Sequence, residues 1–306
     1  MFQVVGKTNI DFIGKRYISF ALSAVLIILG LVALIFVASG KAKLGIEFSG
    51  GTLIDGYFAQ PVDIGQLRAT MSENGYPDAV IQEAQREIPN SFVIRVKATA
   101  ETGSKVAGQL VELIQENFPG NTFTLDSVDE VGPSVGQQLQ SKARLAVLIS
   151  LIGIMIYIWL RFDFRSGVAA AVSTFHDVLA VFGIMFILQK ETNLLLITAI
   201  LTLAGYSLTD KVVILDRIRE DLKLYRKRGD FANLVNTAIN EVLSRTIVTG
   251  TTVLLVLITL VFFGGEVLSD FALALFIGVL MGTYSSVFVA SPLMVEWEKR
   301  SPKRFK

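Results

Sequence analysis

Six stretches of this chain stay apolar for about the length of a bilayer crossing, and one long segment between the first two does not. A helix needs roughly 20 predominantly apolar residues to span the hydrocarbon core. On that measure spanning helices are expected at 18–38, 143–162, 167–188, 192–215, 245–263 and 268–295. Lys15 and Arg16 precede the first, as basic residues precede a signal peptide. Its apolar run is too long for a signal core, however, and no small-residue cleavage site follows, so it reads as an uncleaved anchor.

Residues 39–142 are polar and patterned differently. Thr52–Phe58 reads as a strand, and Asp63–Asn74 as a helix with Asp63 at its N-cap. Ala79–Ala84 and Ser91–Val96 read as two more strands. In the latter, Phe92, Ile94 and Val96 fall on one face. Gly103–Asn117 carries Val106, Leu110, Leu113 and Ile114 at helical spacing, and Phe123–Val131 closes the pattern as a strand. The order βαββαβ is that of a ferredoxin-like α+β unit. Pro133 suits a helix N-terminus, so an amphipathic approach helix is expected to run from there into the second spanning helix.

The basic residues set an expected orientation, because Lys and Arg concentrate on the cytoplasmic side. They gather in 1–17 (Lys7, Lys15, Arg16), in the link between helices 2 and 3 (Arg161, Arg165), in the link 216–244 and in the tail 296–306. The short links on the other side hold only Lys190. Both termini are therefore expected in the cytoplasm and 39–142 outside. Trp159 and Trp297 fall near cytoplasmic helix ends, as an interfacial belt places them. The run Asp216–Asp230, with Arg226, Lys227 and Arg228, reads as a solvated helix.

Composition narrows the chemistry. The apolar share is 52% of 306 residues and the mean hydropathy is +0.57, well above soluble proteins. Without cysteine there are no disulfides or thiolate sites, and a single histidine makes a zinc centre unfavourable. No cofactor or metal is expected. GGT at 50–52 makes a tight turn into a strand, and no GK[ST] follows it to bind phosphate.

The candidate chemistry is the set of ionisable groups inside the apolar spans: His176 and Asp177 in helix 3, Asp210 and Lys211 in helix 4, and Arg245 at the head of helix 5. A charged side chain mid-membrane costs about 2.5–3.5 kcal/mol on insertion scales and marks a candidate functional group. An Asp210–Arg245 contact across helices 4 and 5 would lower that cost and open on protonation. Each group also has a plain reading. Asp210 and Lys211 lie at the membrane surface if helix 4 begins earlier; the plain reading of His176 is a hydrogen-bonded core imidazole. Asp177 accepts a helix–helix hydrogen bond, and Arg245 snorkels. Gly205, beside Tyr206, is expected to interrupt helix 4. Gly278 and Gly282 form a GxxxG that allows close helix contact.

The segments GIEFSGG (45–51), VGPSVGQQL (131–139), FHD (175–177), GYSLTDKVVILDRIRE (205–220), LSRT with TGTT (243–252) and GTYSSVFVASPL (282–293), in that order, resemble the SecF family of bacterial protein-export membrane subunits, of the SecD/SecF type. The resemblance spans residues 1 to about 297. It implies one six-helix half of a resistance-nodulation-division (RND) type carrier, with SecD as the other half, in the bacterial cytoplasmic membrane. It also implies use of the proton-motive force for late steps of preprotein export, with the SecYEG channel, YajC or YidC and an unfolded preprotein as partners. Asp210 and Arg245 then serve proton passage, with Asp177 and His176 beside them. Gly45, Glu47, Phe48, Gly50, Gly51, Gly132, Pro133, Gly205 and Tyr206 then couple the bundle to the outer domain. Two positions depart from the family pattern: Glu47 stands where Asp is usual, and Lys211 where a small or apolar residue is usual. Lys211, about 100° around the helix from Asp210, is expected to face elsewhere or snorkel. Two other functions stay open. One is a scaffold that stabilises SecD and the channel without carrying protons. The other is a half-size efflux or lipid transporter, which the small outer domain disfavours.

Overall fold

A computed structural model describes residues 8–84, 88–97, 106–224 and 230–302. Lys7, Gly103, Arg226, Lys227, Arg228 and the last four residues of the basic tail, 303–306, lie outside the described residues. After a short 3₁₀ turn come α1 (Arg16–Ala38), the one-turn α2 (Ile46–Ser49), β1 (Gly51–Phe58), α3 (Ile64–Glu73), β2 (Val80–Glu83), β3 (Ser91–Lys97), α4 (Val106–Asn117) and β4 (Phe123–Val131). Long helices follow: α5 (Pro133–Arg161), α6 (Phe164–Ile187), α7 (Leu194–Leu224), α8 (Phe231–Phe263) and α9 (Gly265–Ser285), then a π-helical turn at Ser286–Ala290 and α10 (Ser291–Arg300).

Six helices are long and apolar enough to cross a membrane, α9 and α10 counting as one. α6, α7 and α9 form the interior, whereas α1, α5 and α8 leave most of their apolar surface uncovered. The polar residues after Pro133 continue straight into the second span, so α5 is one helix of 29 residues. Likewise α7 runs past the apolar segment to Leu224. α1 meets α6 at Gly30 and Gly183, where a Cβ added to Gly183 would lie 2.6 Å from the Gly30 nitrogen. Gly278 and Gly282 bring α9 onto α7 in the same way, facing Leu203 and Ser207. Close approach through small residues is how helices gain van der Waals contact where water does not drive association.

The π turn has a local cause. Proline cannot donate to the carbonyl four residues back and crowds it. Before Pro292 that carbonyl belongs to Phe288, and it accepts instead from Ser19 Oγ at 2.9 Å. The Ser291 hydroxyl reaches the Ser286 carbonyl at 2.8 Å.

The four strands form an antiparallel sheet in the order β2-β3-β1-β4, the ferredoxin-like arrangement. Strand alternation sends Ile54, Phe58, Phe92, Ile94 and Val96 into a core with Leu67, Met71, Leu110 and Ile114 from α3 and α4. Asp63 caps α3 by accepting from the Gln66 amide at 2.9 Å.

The other sheet face looks onto the bundle across a cleft of about 400 Å³ that includes Glu47, Asp55, Asp129, Arg95, Glu191 and Asp270. Two kinds of contact hold the domain there. The segment before α2 pairs with the link between α6 and α7, Thr192 N donating to the Lys43 carbonyl at 2.8 Å. Arg95 of β3 bridges to Glu191 at 2.7 Å.

Burial pushes the Glu191 carboxyl above its ordinary value of 4.5; Arg95 opposes this, Glu47 adds to it, and Lys43 and Asp270 act oppositely and more weakly. The folded state thus binds this proton more tightly than the unfolded chain. Its stabilising contribution is complete below pH 4.5 and is lost as pH rises through the elevated folded value. A Glu191→Gln variant is expected to remove that part of the pH dependence of thermal unfolding. An unchanged slope between pH 4.5 and neutrality would contradict the assignment.

Candidate functional site

The middle of the bundle holds two carboxylates with opposite surroundings. Asp177, on α6, is fully buried. Its Oδ2 accepts from the Lys211 ammonium at 2.7 Å, from Ser285 Oγ at 2.7 Å and from Ser207 Oγ. His176 Nδ1 lies 2.9 Å from Oδ1. Lys211 is itself fully buried and also donates to Ser207 Oγ and, at 3.3 Å, to the Ser207 carbonyl. Helices α6 and α7 and the end of α9 therefore meet at one charge-compensated cluster. His176 Nε2 is buried with no hydrogen-bond partner among the described residues.

Asp210 sits midway along α7 and is 7% exposed. Its hydrogen bond comes from a neutral hydroxyl, Thr283 Oγ1 of α9, at 3.2 Å. Among the described residues no ion pair involves Asp210. Tyr206, one turn earlier, is close enough to interact with it electrostatically, and its hydroxyl is buried without a partner among the described residues. Along the outer side of α7 runs a groove of about 590 Å³, floored by Gly205, Leu208, Thr209 and Val212 and edged by Tyr157 of α5 and Arg245 of α8.

Two expectations change here, and a third gains a specific partner. The Asp210–Arg245 ion pair does not form: Arg245 is exposed on the groove and reaches Asp210 only through a longer-range electrostatic interaction. Helical spacing put both groups at similar depth but said nothing of their direction around the axes. Lys211 does face elsewhere than Asp210, as its position around the helix implied, and instead of snorkelling it is the buried counter-ion of Asp177. Gly205 does not interrupt α7, which passes through it unbroken, and its missing side chain leaves open space on the groove.

The two segments flanking the outer domain sit against each other. Gly50 (φ 71°) and Gly51 (φ 151°) take backbone conformations that other residues avoid, turning the chain from α2 into β1. A Cβ on Gly50 would lie 3.0 Å from Pro133 Cα, so the turn packs directly on the first residue of α5. Gly132 is the N-cap of α5 and Pro133 follows it. Gln140 of α5 donates to the Phe48 carbonyl at 3.3 Å. Phe48 is buried, Gly45 donates to the Thr192 carbonyl at 3.1 Å, and Glu47 lines the acidic cleft.

Ser207, Ser285 and Thr283 were not singled out from sequence. The readable signal was Ser207 and Lys211 four residues apart, hence on one helix face.

A protein from Thermodesulfovibrio yellowstonii described as Protein translocase subunit SecF is 47% identical over 302 residues, covering 98% of this chain and 99% of its own. The chain belongs to the SecF family. Residues 111–300 match the family described as Protein export membrane protein SecD/SecF, C-terminal. A SecF from Rickettsia bellii is 39% identical over 289 residues, 94% of this chain and 93% of that one. The crystal structure of SecDF, a translocon-associated membrane protein from Thermus thermophilus, superposes with a TM-score of 0.83 at 35% identity. SecDF in a super-membrane-facing form gives 0.68 at 36%. Each superposition covers 98% of this chain and 40% of the SecDF polypeptide, so this chain spans about two fifths of SecDF. Family membership and the six apolar helices make it a multi-pass membrane protein.

Proposed function

We propose that this chain is an accessory subunit of the Sec protein translocase, without enzymatic chemistry of its own. With a SecD-type partner it uses the proton-motive force to promote late steps of preprotein export through a SecYEG-type channel, with YajC or YidC as further neighbours. The observation that carries the reading is Asp210: a nearly buried carboxyl, midway along a spanning helix, held by one hydroxyl and no counter-ion among the described residues. A carboxyl so placed exchanges its charge by taking up a proton, and a charge crossing the membrane potential carries about 2.3 kcal/mol per 100 mV. Arg245, exposed on the adjoining groove, senses that charge.

Asp177 is the contrast. Its ammonium partner removes the need for a proton, so it serves packing between helices and Asp210 serves coupling. The junction of Gly50 and Gly51 with Pro133 carries movement of α5 to the outer domain. The ferredoxin-like domain faces outward and both termini face the cytoplasm, since Arg16, Arg161, Arg165, Arg217, Arg219 and Arg300 lie at the other end of the bundle. The uncovered apolar faces of α1, α5 and α8 are left for lipid and for the SecD-type half.

The test is translocation into inverted membrane vesicles carrying the native complex. A SecD-type chain is expected to co-purify, and vesicles depleted of the pair should lose the increment in export that an uncoupler abolishes. Depleted vesicles that keep this increment would contradict the reading.

A further inference from the structure

Lys211 is the unused charge at this site. Its side chain crosses from α7 to α6, and its ammonium ends on Asp177 Oδ2 at 2.7 Å with no exposure to solvent. Asp177 is fixed in turn by His176 on its own helix, by Ser207 of α7 and by Ser285 at the end of α9. Ser173 of α6 adds a hydrogen bond to the Ser285 carbonyl at 3.2 Å. This anchor does not slide easily, because every polar atom of the carboxylate already has a partner. Adjacent helix positions point about 100° apart. A lysine drawn to α6 therefore turns the preceding residue toward α9, where Asp210 meets Thr283. Beside this cluster, α7 meets α9 through the Asp210–Thr283 hydrogen bond and the smooth contacts at Gly278 and Gly282, none of which is charged.

We propose that Lys211 is the positioning residue of the coupling site: by tethering α7 to Asp177 it sets the rotation of α7 that presents Asp210 to Thr283. This rests on Asp210 as the proton-exchanging group, and its test reads Asp210 directly rather than export. The ionisable groups that act on Asp210 electrostatically are Tyr206 and Lys211 on α7 and, at longer range, Arg245 on α8; α9 contributes the neutral Thr283. Those facing Asp177 are His176 on α6 and Lys211 on α7, with Tyr284 of α9 against the His176 ring.

The experiment uses the chain with its partner in proteoliposomes. A membrane-permeant carbodiimide, which labels protonated carboxyls in apolar surroundings, is applied across a pH series, and adducts at Asp210 are counted by peptide mass. Two double variants decide the matter. Asp177→Asn with Lys211→Gln keeps a hydrogen-bonded tether without charge; Asp177→Asn with Lys211→Met removes the tether. Both are neutral, so neither strands a buried charge.

The first pair is expected to keep the native labelling profile. The second should move its midpoint by about one pH unit or more, roughly tenfold in proton affinity. Identical profiles from the two pairs would overturn the positioning role while leaving Asp210 as the coupling group. A native chain that never labels at Asp210 would overturn both.

Discussion

Asp210→Asn is expected to abolish the proton-driven part of export while the chain still accumulates and still binds its SecD-type partner. Asparagine has nearly the same shape and can still accept from Thr283, so packing of α7 on α9 is retained. What it loses is the ability to change charge. One proton crossing 100 mV carries about 2.3 kcal/mol, a bias of roughly 50-fold between two conformations, and the variant forfeits it. Translocation in inverted vesicles should therefore match the uncoupled native level, whether or not a proton gradient is present. Asp210→Glu keeps the titratable carboxyl but carries it one methylene past the position that meets Thr283, and should fall between the two.

The largest expected effect on stability lies one helix away. Asp177→Ala strands the Lys211 ammonium in a site with no exposure and leaves Ser207 and Ser285 without their acceptor. Removing one partner of a buried ion pair costs about 3–5 kcal/mol. The expected readout is a sharp fall in thermal stability in detergent, with little folded protein at ordinary temperature. The neutral pair Asp177→Asn with Lys211→Met should recover most of that loss, because no charge remains to be compensated. An Asp177→Ala chain as stable as the native one would mean that water reaches Lys211 and that the cluster is not the closed centre described above.

These two carboxylates also mark where the sequence could be read and where it could not. The outer domain was legible because its signals are local: alternation at Phe92, Ile94 and Val96 settles one sheet face, and Asp63 starts α3. The six spans were legible because apolar length is what a bilayer demands. Helix ends were less so. Pro133 marked the start of α5, which runs from there into the second span as expected. Hydropathy, which reports the solvent around a segment, set the end of the fourth span at 215, yet α7 continues as one helix through polar residues to Leu224.

The roles of Asp210, Lys211 and Arg245 depend on the azimuth of each helix against its neighbours, which one-dimensional spacing leaves free. Depth along the axis brought Asp210 and Arg245 together on paper. Rotation instead sent Asp210 to Thr283, Lys211 to Asp177 and Arg245 to the groove. The glycine contact between α1 and α6 was invisible for a similar reason: Gly30 and Gly183 are far apart in sequence, and neither lies in a paired motif.

The most direct measurement of proton coupling at Asp210 is proton flux through the reconstituted pair, followed with a pH-sensitive dye inside liposomes under an imposed membrane potential. The native chain with its partner should admit protons in a potential-dependent way, and Asp210→Asn should fall to the leak of protein-free liposomes. Native-level flux through the Asp210→Asn pair would contradict the account.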